Sequence, residues 1–516
     1  MQITTGLKET AARNPNGRAT CYGDRTRTWS EVLDRVARVA GGLRGLGVSP
    51  GDRVAIWALN SDRYVELYYA LPWVGGVAVP INTRLAPAEV RMILEDAECE
   101  TLVVDEMSLP GLEAALGRAV APRLVYAGEG QPPAGMVGYE ALVKAAPVED
   151  VGRGGEDLYG IFYTGGTTGR SKGVMLSHRN ILANQENVAS LFDRKDPVYL
   201  HAAPMFHLAD LGSTFHITAV AGTHAVVPRF DPGDVLRAIA EYRVTGTMLV
   251  PTMINMLLQF PGLDGYDVSC LQFMTYGASP MPPAVMARAF EVFPGIQFMQ
   301  GYGMTELSPM ATFLDAAHHV VEGPQAGKLK SAGRAVGTAE VRVVDEHDRP
   351  VPAGTIGEVV VRGPMVMQGY WKQPELTAQT IRDGWLHTGD AGYLDKDGFL
   401  FIVDRVKDMI ISGGENVYSV EVEAALYAHP AVAMCAVFGI PDDRWGEAVH
   451  AVVVPKPGHT VTEAELIDFC RTRIAGYKCP RGVSFQDAPL PISGAGKILK
   501  NELRAPYWEG RARRVN

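Results

Sequence analysis

The sequence predicts an α/β protein with a large N-terminal part and a smaller α+β domain at the C-terminal end. Strand and helix patterns alternate at short spacing over roughly the first 320 residues, as in a parallel sheet covered by helices. Between residues 333 and 403 apolar residues recur with a period of two, for example at Val341 and Val343, which indicates a β-rich subdomain. The last hundred or so residues have helix and strand patterns of their own and suffice for a small core.

The composition is that of an ordinary globular protein, with 47% hydrophobic and 21% charged residues in a chain of 516. The net charge of −10 argues against nucleic acid and anionic membranes as partners. The six cysteines form no CxxC pair or metal-ligand spacing, which is typical of reduced thiols in a cytosolic enzyme. The N-terminus lacks an apolar signal core, and no apolar run reaches the ~20 residues of a spanning helix. We therefore expect a cytoplasmic protein without a transmembrane segment.

Helix and strand signals alternate from the N-terminus onward. A capping box at residues 28–31 (TWSE) begins a helix that Gly45 and Gly47 end. The elements predicted next are a strand at 54–57, a helix from Ser61, a strand at 77–79, a helix at 87–96 and a strand at 102–104. Residues 107–156 are rich in Gly, Pro and Ala, and we predict loops and one short helix there.

The alternation resumes after residue 173. The predicted helices lie at 180–192, 232–242 and 282–293, and the predicted strands at 198–201, 225–227, 247–250 and 271–275. Beyond Arg405 the predicted helices lie at 420–427 and 462–474, and the strands at 433–438 and 449–454. We place a hinge at residues 405–408, between an N-terminal domain (1–404) and a C-terminal domain (409–516).

The sequence YTGGTTGRSKG at residues 163–173 lies between two apolar runs, which predicts a loop between two short strands. Its glycines let the backbone approach a ligand closely, and its hydroxyls and Lys172 add hydrogen-bond donors. These features suit a polyphosphate, although the spacing is not that of the common P-loop. On these residues alone, a hydroxyl-rich surface turn is the alternative.

Two further motifs are suited to a nucleotide. Residues 300–306 (QGYGMTE) follow a predicted strand at its carboxyl end, where an aromatic ring can stack on a base and Glu306 can bind Mg²⁺. Residues 385–390 (WLHTGD) place Asp390 after a glycine turn, where its carboxylate can accept hydrogen bonds from ribose hydroxyls. The alternatives are a structural turn with a solvated Glu306, and an ordinary Asx-turn at Asp390.

Two motifs near the C-terminal end complete the set. Residues 404–416 (DRVKDMIISGGEN) combine a charged run with a strand pattern and a glycine bend, which indicates a hinge joined to a sheet or, alternatively, a charged linker. Residues 491–500 (PISGAGKILK) form a second glycine-rich loop that carries Lys497. A single cation on such a loop can neutralise a developing phosphoryl transition state, and a solvated lysine is the alternative.

Together and in this order, the five motifs resemble those of the class I adenylate-forming superfamily, and most closely its acyl-CoA synthetases. The resemblance covers essentially the whole chain. It implies a large AMP- and acyl-binding domain of two α/β subdomains and a β-rich subdomain, followed by a small mobile domain that carries the catalytic lysine. It also implies ATP, Mg²⁺ and CoA as cofactors, a small carboxylic acid as substrate, and a homodimer as a common assembly.

The resemblance implies roles for individual residues. The catalytic set comprises Lys497 for adenylation, Thr305 and Glu306 at the phosphates and magnesium, and His207 at the mouth of the acyl pocket. The nucleotide set comprises the pyrophosphate loop Thr164, Gly165, Gly166, Thr167, Thr168, Gly169 and Lys172, the base-binding residues Gly277, Ala278, Ser279, Tyr302 and Gly303, and the ribose pair Asp390 and Arg405. The hinge is Lys407, and the CoA set comprises Gly413, Gly414, Glu415, Trp445, Tyr477 and Lys478.

The sequence departs from the superfamily pattern at two positions. Gly165 stands where the loop usually has serine, so one phosphate donor is lost or replaced by backbone. Lys407 stands at the hinge in place of the frequent aspartate. Neither departure removes a group that the reaction requires.

The implied reaction is adenylation of a carboxylic acid and transfer of its acyl group to CoA. The pocket residues near 207–210, 253–256, 274–278 and 301–309 are rich in Met, Ala and Gly, which favours a medium- or long-chain fatty acid. An aryl or hydroxycinnamate acid is the close alternative, and Asp210 is expected to cap a helix rather than face the pocket. Two rival functions are adenylation with a carrier-protein or luciferase-like acceptor, and a regulatory protein with a silenced site. ATP-dependent pyrophosphate release distinguishes the second.

Overall fold

The fold was analysed in a computed structural model, which describes residues 1–117, 122–164, 171–189, 196–405 (backbone alone at 405), 408–412, 415–442, 444–494 and 496–509. The α-helices in these residues are α1 (Ile3–Arg13), α2 (Trp29–Gly45), α3 (Asp62–Val74), α4 (Pro87–Asp96), α5 (Leu109–Leu116), α6 (Tyr139–Val143), α7 (His178–Ala189), α8 (Leu208–Ala219), α9 (Pro232–Tyr242), α10 (Pro251–Leu258), α11 (Pro283–Val292), α12 (Pro374–Thr380), α13 (Ser419–Tyr427), α14 (Glu463–Arg471) and α15 (Lys500–Trp508).

The strands of the N-terminal part precede residue 340. They are β1 (Arg18–Tyr22), β2 (Arg25–Thr28), β3 (Arg53–Trp57), β4 (Val77–Pro80), β5 (Thr101–Val104), β6 (Arg123–Tyr126), β7 (Val137–Gly138), β8 (Leu158–Thr164), β9 (Lys172–Ser177), β10 (Val198–His201), β11 (Thr223–Val226), β12 (Gly246–Leu249), β13 (Phe273–Gly277), β14 (Gln297–Gly303), β15 (Met310–Leu314) and β16 (Arg334–Ala335).

The remaining strands follow in the β-rich and C-terminal parts. They are β17 (Glu340–Val344), β18 (Gly357–Arg362), β19 (Gly369–Tyr370), β20 (Ile381–Arg382), β21 (Trp385–Leu394), β22 (Leu400–Arg405), β23 (Ile410–Ser412), β24 (Glu415–Val417), β25 (Val432–Asp442), β26 (Gly446–Pro455) and β27 (Gly482–Phe485).

Two large mixed sheets form the N-terminal part. One has the order β16-β15-β14-β13-β12-β10-β11-β1-β2, and the other β19-β9-β8-β4-β3-β5-β6-β7. Their central strands are parallel, as the alternating pattern predicts. The β1–β2 hairpin from the N-terminus joins the sheet of β10–β16, so the two α/β units interleave instead of following one another along the chain.

Two smaller sheets follow. Strands β17, β18, β20, β21 and β22 form an antiparallel sheet, which agrees with the predicted β-rich subdomain. The fourth sheet comprises β23–β27 and packs against α13 and α14 around its own apolar cluster, which includes Val437, Val449 and Leu466. The mixed α/β class with a small C-terminal α+β unit is confirmed, whereas the domain boundary at 405–408 stays a prediction.

Local signals explain where several helices begin. The capping box before α2 is present, because Thr28 accepts from the Glu31 amide and the Glu31 carboxylate accepts from the Thr28 amide. Helix α3 is buried on every side, and its acidic residues Asp62 and Glu66 are paired with Arg25 and Arg35. A helix without a polar face keeps charged residues only when they are paired in this way.

The structure differs from the predicted elements at residues 107–156. This stretch contains two short helices, α5 and α6, and two strands, β6 and β7, where one helix was expected. The strands are short and lie at one end of a sheet, so their sequence lacks the long apolar run that marks a central strand. Helix α7 begins at His178, two residues before the predicted start, and residues 190–192 of the prediction lie outside the described residues.

Candidate active site

A cavity of about 1740 Å³ lies between the N-terminal sheets and the C-terminal unit. The ends of β13 and β14 line it, together with α8, β21 and the loop that carries Lys497. In open α/β sheets, ligands bind at the carboxyl ends of the strands, and the ends of β13 and β14 meet this condition. The cavity therefore brings together residues from five of the motifs found in the sequence.

Glycine at the end of β13 permits close contact between two strands. Gly277 pairs with Gly301, and a Cβ at position 277 would lie 2.3 Å from the Gly301 carbonyl oxygen. The next residue, Ala278, has a φ of 67°, a left-handed conformation that costs free energy for any residue with a side chain. Gly277, Ala278 and Ser279 all line the cavity, as the resemblance implies for a base-binding segment.

Tyr302 and Asp390 are joined by a hydrogen bond. The Tyr302 hydroxyl donates to Asp390 Oδ2 at 2.7 Å, and Asp390 is 7% exposed. Asp390 lies on β21 opposite Arg405 of β22, in the antiparallel register of that pair. The ribose pair of the prediction is thus placed together by backbone pairing, although the Arg405 side chain lies outside the described residues.

Glu306 is held by a tyrosine from a distant part of the chain. It lies in a short turn, Thr305–Leu307, is 6% exposed, and accepts the Tyr370 hydroxyl at 2.9 Å. Lys172 Nζ lies 5.1 Å from the centroid of the Tyr370 ring, so a cation from the phosphate-loop hairpin faces the same ring. Burial and the Glu306 carboxylate both raise the pKa of Tyr370, which therefore stays a hydrogen-bond donor at neutral pH.

The residues present fit a magnesium ion that binds mainly to phosphates. Glu306 supplies one hard carboxylate at the cavity, beside Thr305. Among the described residues there is no cluster of three or more potential metal ligands. That arrangement suits Mg²⁺, which usually takes one or two protein carboxylates and completes its shell with phosphates and water.

The phosphate-binding stretch has the predicted strand–loop–strand form. Strands β8 and β9 pair with Thr164 opposite Lys172, so both residues lie at the open end of the hairpin. Thr164 also lines the cavity. Gly165, Gly166, Thr167, Thr168 and Gly169 lie outside the described residues, so the consequence of Gly165 stays open.

Lys497 lies on a short hairpin-like loop at the cavity wall. An isolated bridge joins Ile492 to Ile498, and the Ser493 amide donates to the Lys497 carbonyl at 2.7 Å. At the base of the loop, Lys500 bonds Glu423 at 2.7 Å and Ser419 Oγ at 2.7 Å. The loop is therefore fixed to α13 at one end, while Lys497 itself lines the cavity.

His207 lies close to Lys497. Desolvation at the cavity wall and, to a lesser extent, the Lys497 charge lower the pKa of His207 to about 4. Its Nδ1 accepts from the Ala209 amide at 3.3 Å and caps α8, so the single proton of the neutral ring is on Nε2. His207 is thus a neutral donor at neutral pH and not a base that carries charge.

The described residues of the predicted CoA set do not line the cavity. Lys478 forms a salt bridge at 2.8 Å with Glu421, which does line it. Trp445 lies against Arg444 and Arg481, and Glu415 and Tyr477 are exposed. Lys407, Gly413 and Gly414 lie outside the described residues. The cavity therefore brings together Thr164, Tyr302, Glu306, Asp390 and Lys497, but not Glu415, Trp445, Tyr477 or Lys478.

Asp210 neither caps a helix nor lines the cavity, so the preferred expectation for it was wrong. It is fully buried in the first turn of α8, and its Oδ2 lies 2.7 Å from His201 Nδ1. His201 Nε2 bonds His224 Nδ1 at 2.9 Å, and His224 Nε2 bonds Thr218 Oγ1 at 3.0 Å. This buried relay connects β10 and β11 to both ends of α8, and the linear sequence gave no sign of it.

The wall that α8 contributes to the cavity includes polar residues that were not predicted. Ala209, Gly212, Ser213 and His216 share one face of the helix at i, i+3, i+4 and i+7 spacing, and all line the cavity. The Tyr199 hydroxyl donates to Ser213 Oγ at 2.9 Å. Burial lowers the pKa of His216 to about 4, so its ring is neutral. Met253 and Met274, expected at the pocket, are buried in a core cluster instead.

Comparison with known proteins shows the family of the chain. The profile of the AMP-binding enzyme family matches residues 7–371, and that of the AMP-binding enzyme C-terminal domain matches residues 421–497. A feruloyl-CoA synthase of Amycolatopsis sp. is 42% identical over 96% of this chain and 97% of its own. A long-chain-fatty-acid–CoA ligase of Mycobacterium tuberculosis is 36% identical over 93% of both chains.

Solved structures give the same result. An anthranilate CoA ligase in complex with anthranoyl-AMP superposes with a TM-score of 0.90 at 27% identity, over 98% of this chain and 97% of the other. The fold and site thus define an adenylate-forming enzyme. More narrowly, the chain belongs to the AMP-binding enzyme family and is an AMP-forming acid–thiol ligase, a class that works with ATP, Mg²⁺ and CoA.

Two expectations about the whole protein stay predictions. The structure contains one chain, so the homodimer is untested. Among the described residues no helix is both long and apolar enough to cross a membrane, and the cytoplasmic location is a separate expectation.

Proposed function

We propose that the chain activates an aromatic carboxylic acid of the hydroxycinnamate type and transfers its acyl group to CoA. The substrate carboxylate attacks the α-phosphorus of ATP, which forms the acyl-adenylate and releases pyrophosphate. The CoA thiol then gives its proton to solvent as its sulfur attacks the acyl carbon, and the bond from this carbon to the phosphate oxygen breaks, so AMP leaves. Because the substrate carboxylate is itself the nucleophile, the chain has only to orient the reactants and stabilise charge.

The residues around the cavity divide these tasks. Tyr302 and Asp390 hold the nucleoside, and Thr164, Lys172 and Thr305 face the phosphates. Glu306 would hold Mg²⁺, which neutralises phosphate charge when it is bound. Lys497 donates a hydrogen bond to the oxygens around the α-phosphorus, where charge develops as the adenylyl group is transferred, and Lys407 is the hinge about which the C-terminal unit then turns.

The observation that carries the choice of acid is the polar wall of α8. Ser213, bonded to the Tyr199 hydroxyl, and the neutral His216 ring both line the acyl part of the cavity. A hydroxyl on an aromatic ring can exchange hydrogen bonds with such groups. An alkyl chain would instead displace water from them without replacing its hydrogen bonds, at a cost of roughly 1–3 kcal/mol for each buried polar group.

The comparisons support the same order of candidates. The feruloyl-CoA synthase is 42% identical to this chain, whereas the long-chain-fatty-acid ligase is 36% identical. The sequence alone favoured a fatty acid, because Met256 and Met304 belong to the pocket segments that are rich in Met, Ala and Gly. Both methionines line the cavity, so a medium- or long-chain fatty acid is the second candidate.

The test is pyrophosphate release with Mg·ATP across a panel of acids, each with and without CoA. The panel contains ferulate, 4-coumarate, unsubstituted cinnamate and saturated fatty acids of increasing length. We expect ferulate and coumarate to give the highest kcat/KM, with acyl-CoA as product. Faster turnover of a fatty acid would reverse the order of candidates. Adenylate that only a carrier protein can discharge would change the acceptor, and absence of release with every acid would support a silenced site.

Matched variants sharpen the choice. Ser213→Ala and Tyr199→Phe each remove one hydroxyl from the polar wall and leave the apolar shape nearly unchanged. We expect either variant to lower kcat/KM for ferulate by on the order of tenfold while changing that for unsubstituted cinnamate little, since only ferulate has a ring hydroxyl. Equal losses for ferulate and cinnamate would contradict the proposed role of the polar wall.

A further inference from the structure

The catalytic loop, which we define as residues 491–499, contacts the N-terminal part of the chain through its backbone. Arg84 Nη1 donates to the Ser493 carbonyl at 2.8 Å and lies 3.4 Å from the Ile492 carbonyl. Thr252 Oγ1 donates to the Gly496 carbonyl at 2.9 Å. All three carbonyls precede Lys497 in the loop, and Arg84 is 408 and 409 residues away from its two partners along the chain.

Close packing of Gly494 against Asn82 adds to these hydrogen bonds. This residue is buried, and a Cβ built on it would lie 2.3 Å from Asn82 Oδ1 and 2.6 Å from Asn82 Nδ2. Asn82 cannot move away freely, because its Oδ1 accepts the Arg84 amide at 3.0 Å. The Gly494 backbone itself lies outside the positive-φ region, so only the proximity of Asn82 opposes a side chain there.

Gly496 also packs closely against the N-terminal part, at Val250. Its φ is 78°, and a Cβ would lie 2.5 Å from a Val250 methyl carbon. The turn at Gly496 thus places its carbonyl against Thr252 and brings Lys497 to the cavity wall. None of these contacts involves the Lys497 ammonium group, so they can position the lysine without taking part in its chemistry.

We propose that Asn82, Arg84 and Thr252 form a docking site for the catalytic loop, and that Arg84 is a positioning residue for Lys497 during adenylation. This inference rests on the proposed two-step function, in which Lys497 serves only the first step. Arg84 fixes the loop by its hydrogen bond to the Ser493 carbonyl oxygen, and Asn82 excludes any loop residue larger than glycine at 494. Release of these contacts allows the loop to leave before CoA reacts.

The first test compares Arg84→Met with Arg13→Met. Arg13 is a matched control, because it also donates to a backbone carbonyl, that of Ala219, at 2.8 Å, but lies away from the loop. We expect Arg84→Met to lower the rate of pyrophosphate release about five- to tenfold, since one charged hydrogen bond is lost, while Arg13→Met changes it less than about twofold. Thioester formation from supplied acyl-adenylate should change less than about twofold in both. Equal loss of both half-reactions in Arg84→Met would overturn the proposal.

The second test is a double-mutant cycle at Gly494 and Asn82. Gly494→Ala should slow adenylation, because the added methyl group overlaps Asn82. Asn82→Ala removes that overlap, so the double variant should recover part of the lost rate relative to Gly494→Ala alone. Additive losses would show that the two residues do not meet in the adenylating enzyme, and would overturn the shape argument.

A third measurement separates the docking proposal from the proposed function. Amide hydrogen exchange of the peptide that contains residues 491–499 reports on docking without turnover. Exchange should be faster in Arg84→Met than in wild type or Arg13→Met. If no acid supports pyrophosphate release but this difference is present, the docking site stands and the proposed function fails. If turnover is normal and exchange is identical in all three proteins, the docking site fails and the function stands.

Discussion

The nucleotide-facing carboxylates and the catalytic lysine are held in opposite ways. Glu306 and Asp390 are buried, and each accepts a hydrogen bond from a tyrosine hydroxyl of a distant strand. Lys497 instead lies half-buried on a loop whose contacts with the N-terminal part include hydrogen bonds to backbone carbonyls and two close-fitting glycines. In the function proposed above, groups needed in both half-reactions are thus the buried ones, whereas the group needed in one lies on the half-buried loop.

The same contrast extends to the surroundings. Behind α8, the buried Asp210–His201–His224–Thr218 relay connects this helix of the cavity wall to two strands. Behind the catalytic loop, the Lys500–Glu423 pair lies within the C-terminal unit. A buried network is costly to disrupt, so under the proposed two-step function we expect the N-terminal side to stay fixed while the loop changes position.

The largest expected effect on a rate comes from replacement of Lys497, the cation on the catalytic loop. Lys497→Ala should slow pyrophosphate release by on the order of 10²–10³, the usual cost of one lost preorganised donor. Thioester formation from supplied acyl-adenylate should fall much less, because Lys497 has no part in that step. The two half-reactions are measured separately, and equal losses in both would contradict the division of roles between fixed and mobile groups.

A second prediction restricts the movement itself. Lys407→Pro fixes a backbone φ angle at the proposed hinge and should spare adenylation while it slows the thioester step, on the order of 10²-fold if reactants are misplaced by about 1 Å. Single-turnover measurements of each step are the assay. Lys407→Ala is the control that removes the side chain without restricting φ, and unchanged CoA ligation in the proline variant would argue against this hinge.

A third prediction concerns the hydrogen bond between Asp390 and Tyr302 on the N-terminal side. Asp390→Asn keeps the size of the side chain but removes the charge that accepts the Tyr302 hydroxyl, so KM for ATP should rise about tenfold with a smaller change in kcat. Tyr302→Phe removes only the other partner of this hydrogen bond and should raise KM for ATP less. A larger effect of Tyr302→Phe than of Asp390→Asn would mean that the hydroxyl, not the carboxylate, is the main contact of the nucleoside.

The smallest expected effect is the change of the free energy of unfolding with pH. Burial lowers the pKa of His178, on the N-terminal side, to about 4. As pH falls from about 6.5 to about 4, the unfolded chain therefore binds a proton at this residue that the folded chain does not. The free energy of unfolding decreases over that range by about 1–3 kcal/mol because of this residue. Urea unfolding at pH 7.0, 5.5 and 4.5 measures it. His178→Gln should weaken this dependence, and an unchanged slope would contradict the assignment.

The sequence predicted most elements closely, and the structure shows why the exceptions escaped it. Helices α4 and α9 were predicted with the residues at which they begin and end, because Pro87 and Asp231-Pro232 are strong start signals. Strands β6 and β7 were missed because short edge strands carry little periodic signal. The motif residues Tyr302, Asp390, Glu306 and Lys497 were predicted individually, and their contacts with one another and with Tyr370 arise only from folding.

The sequence by itself determined the α/β class, the phosphate-loop hairpin, the order of the motifs and the family, because each depends on residues close together along the chain. Only the tertiary structure decided that Asp210 joins a buried histidine relay, that Ser213 and His216 line the acyl pocket, and that Arg84 meets the loop of Lys497. Those contacts join segments up to about 400 residues apart. Hydrophobic periodicity and turn residues indicate which face of a helix or strand is buried, but they do not indicate which distant side chain that face contacts.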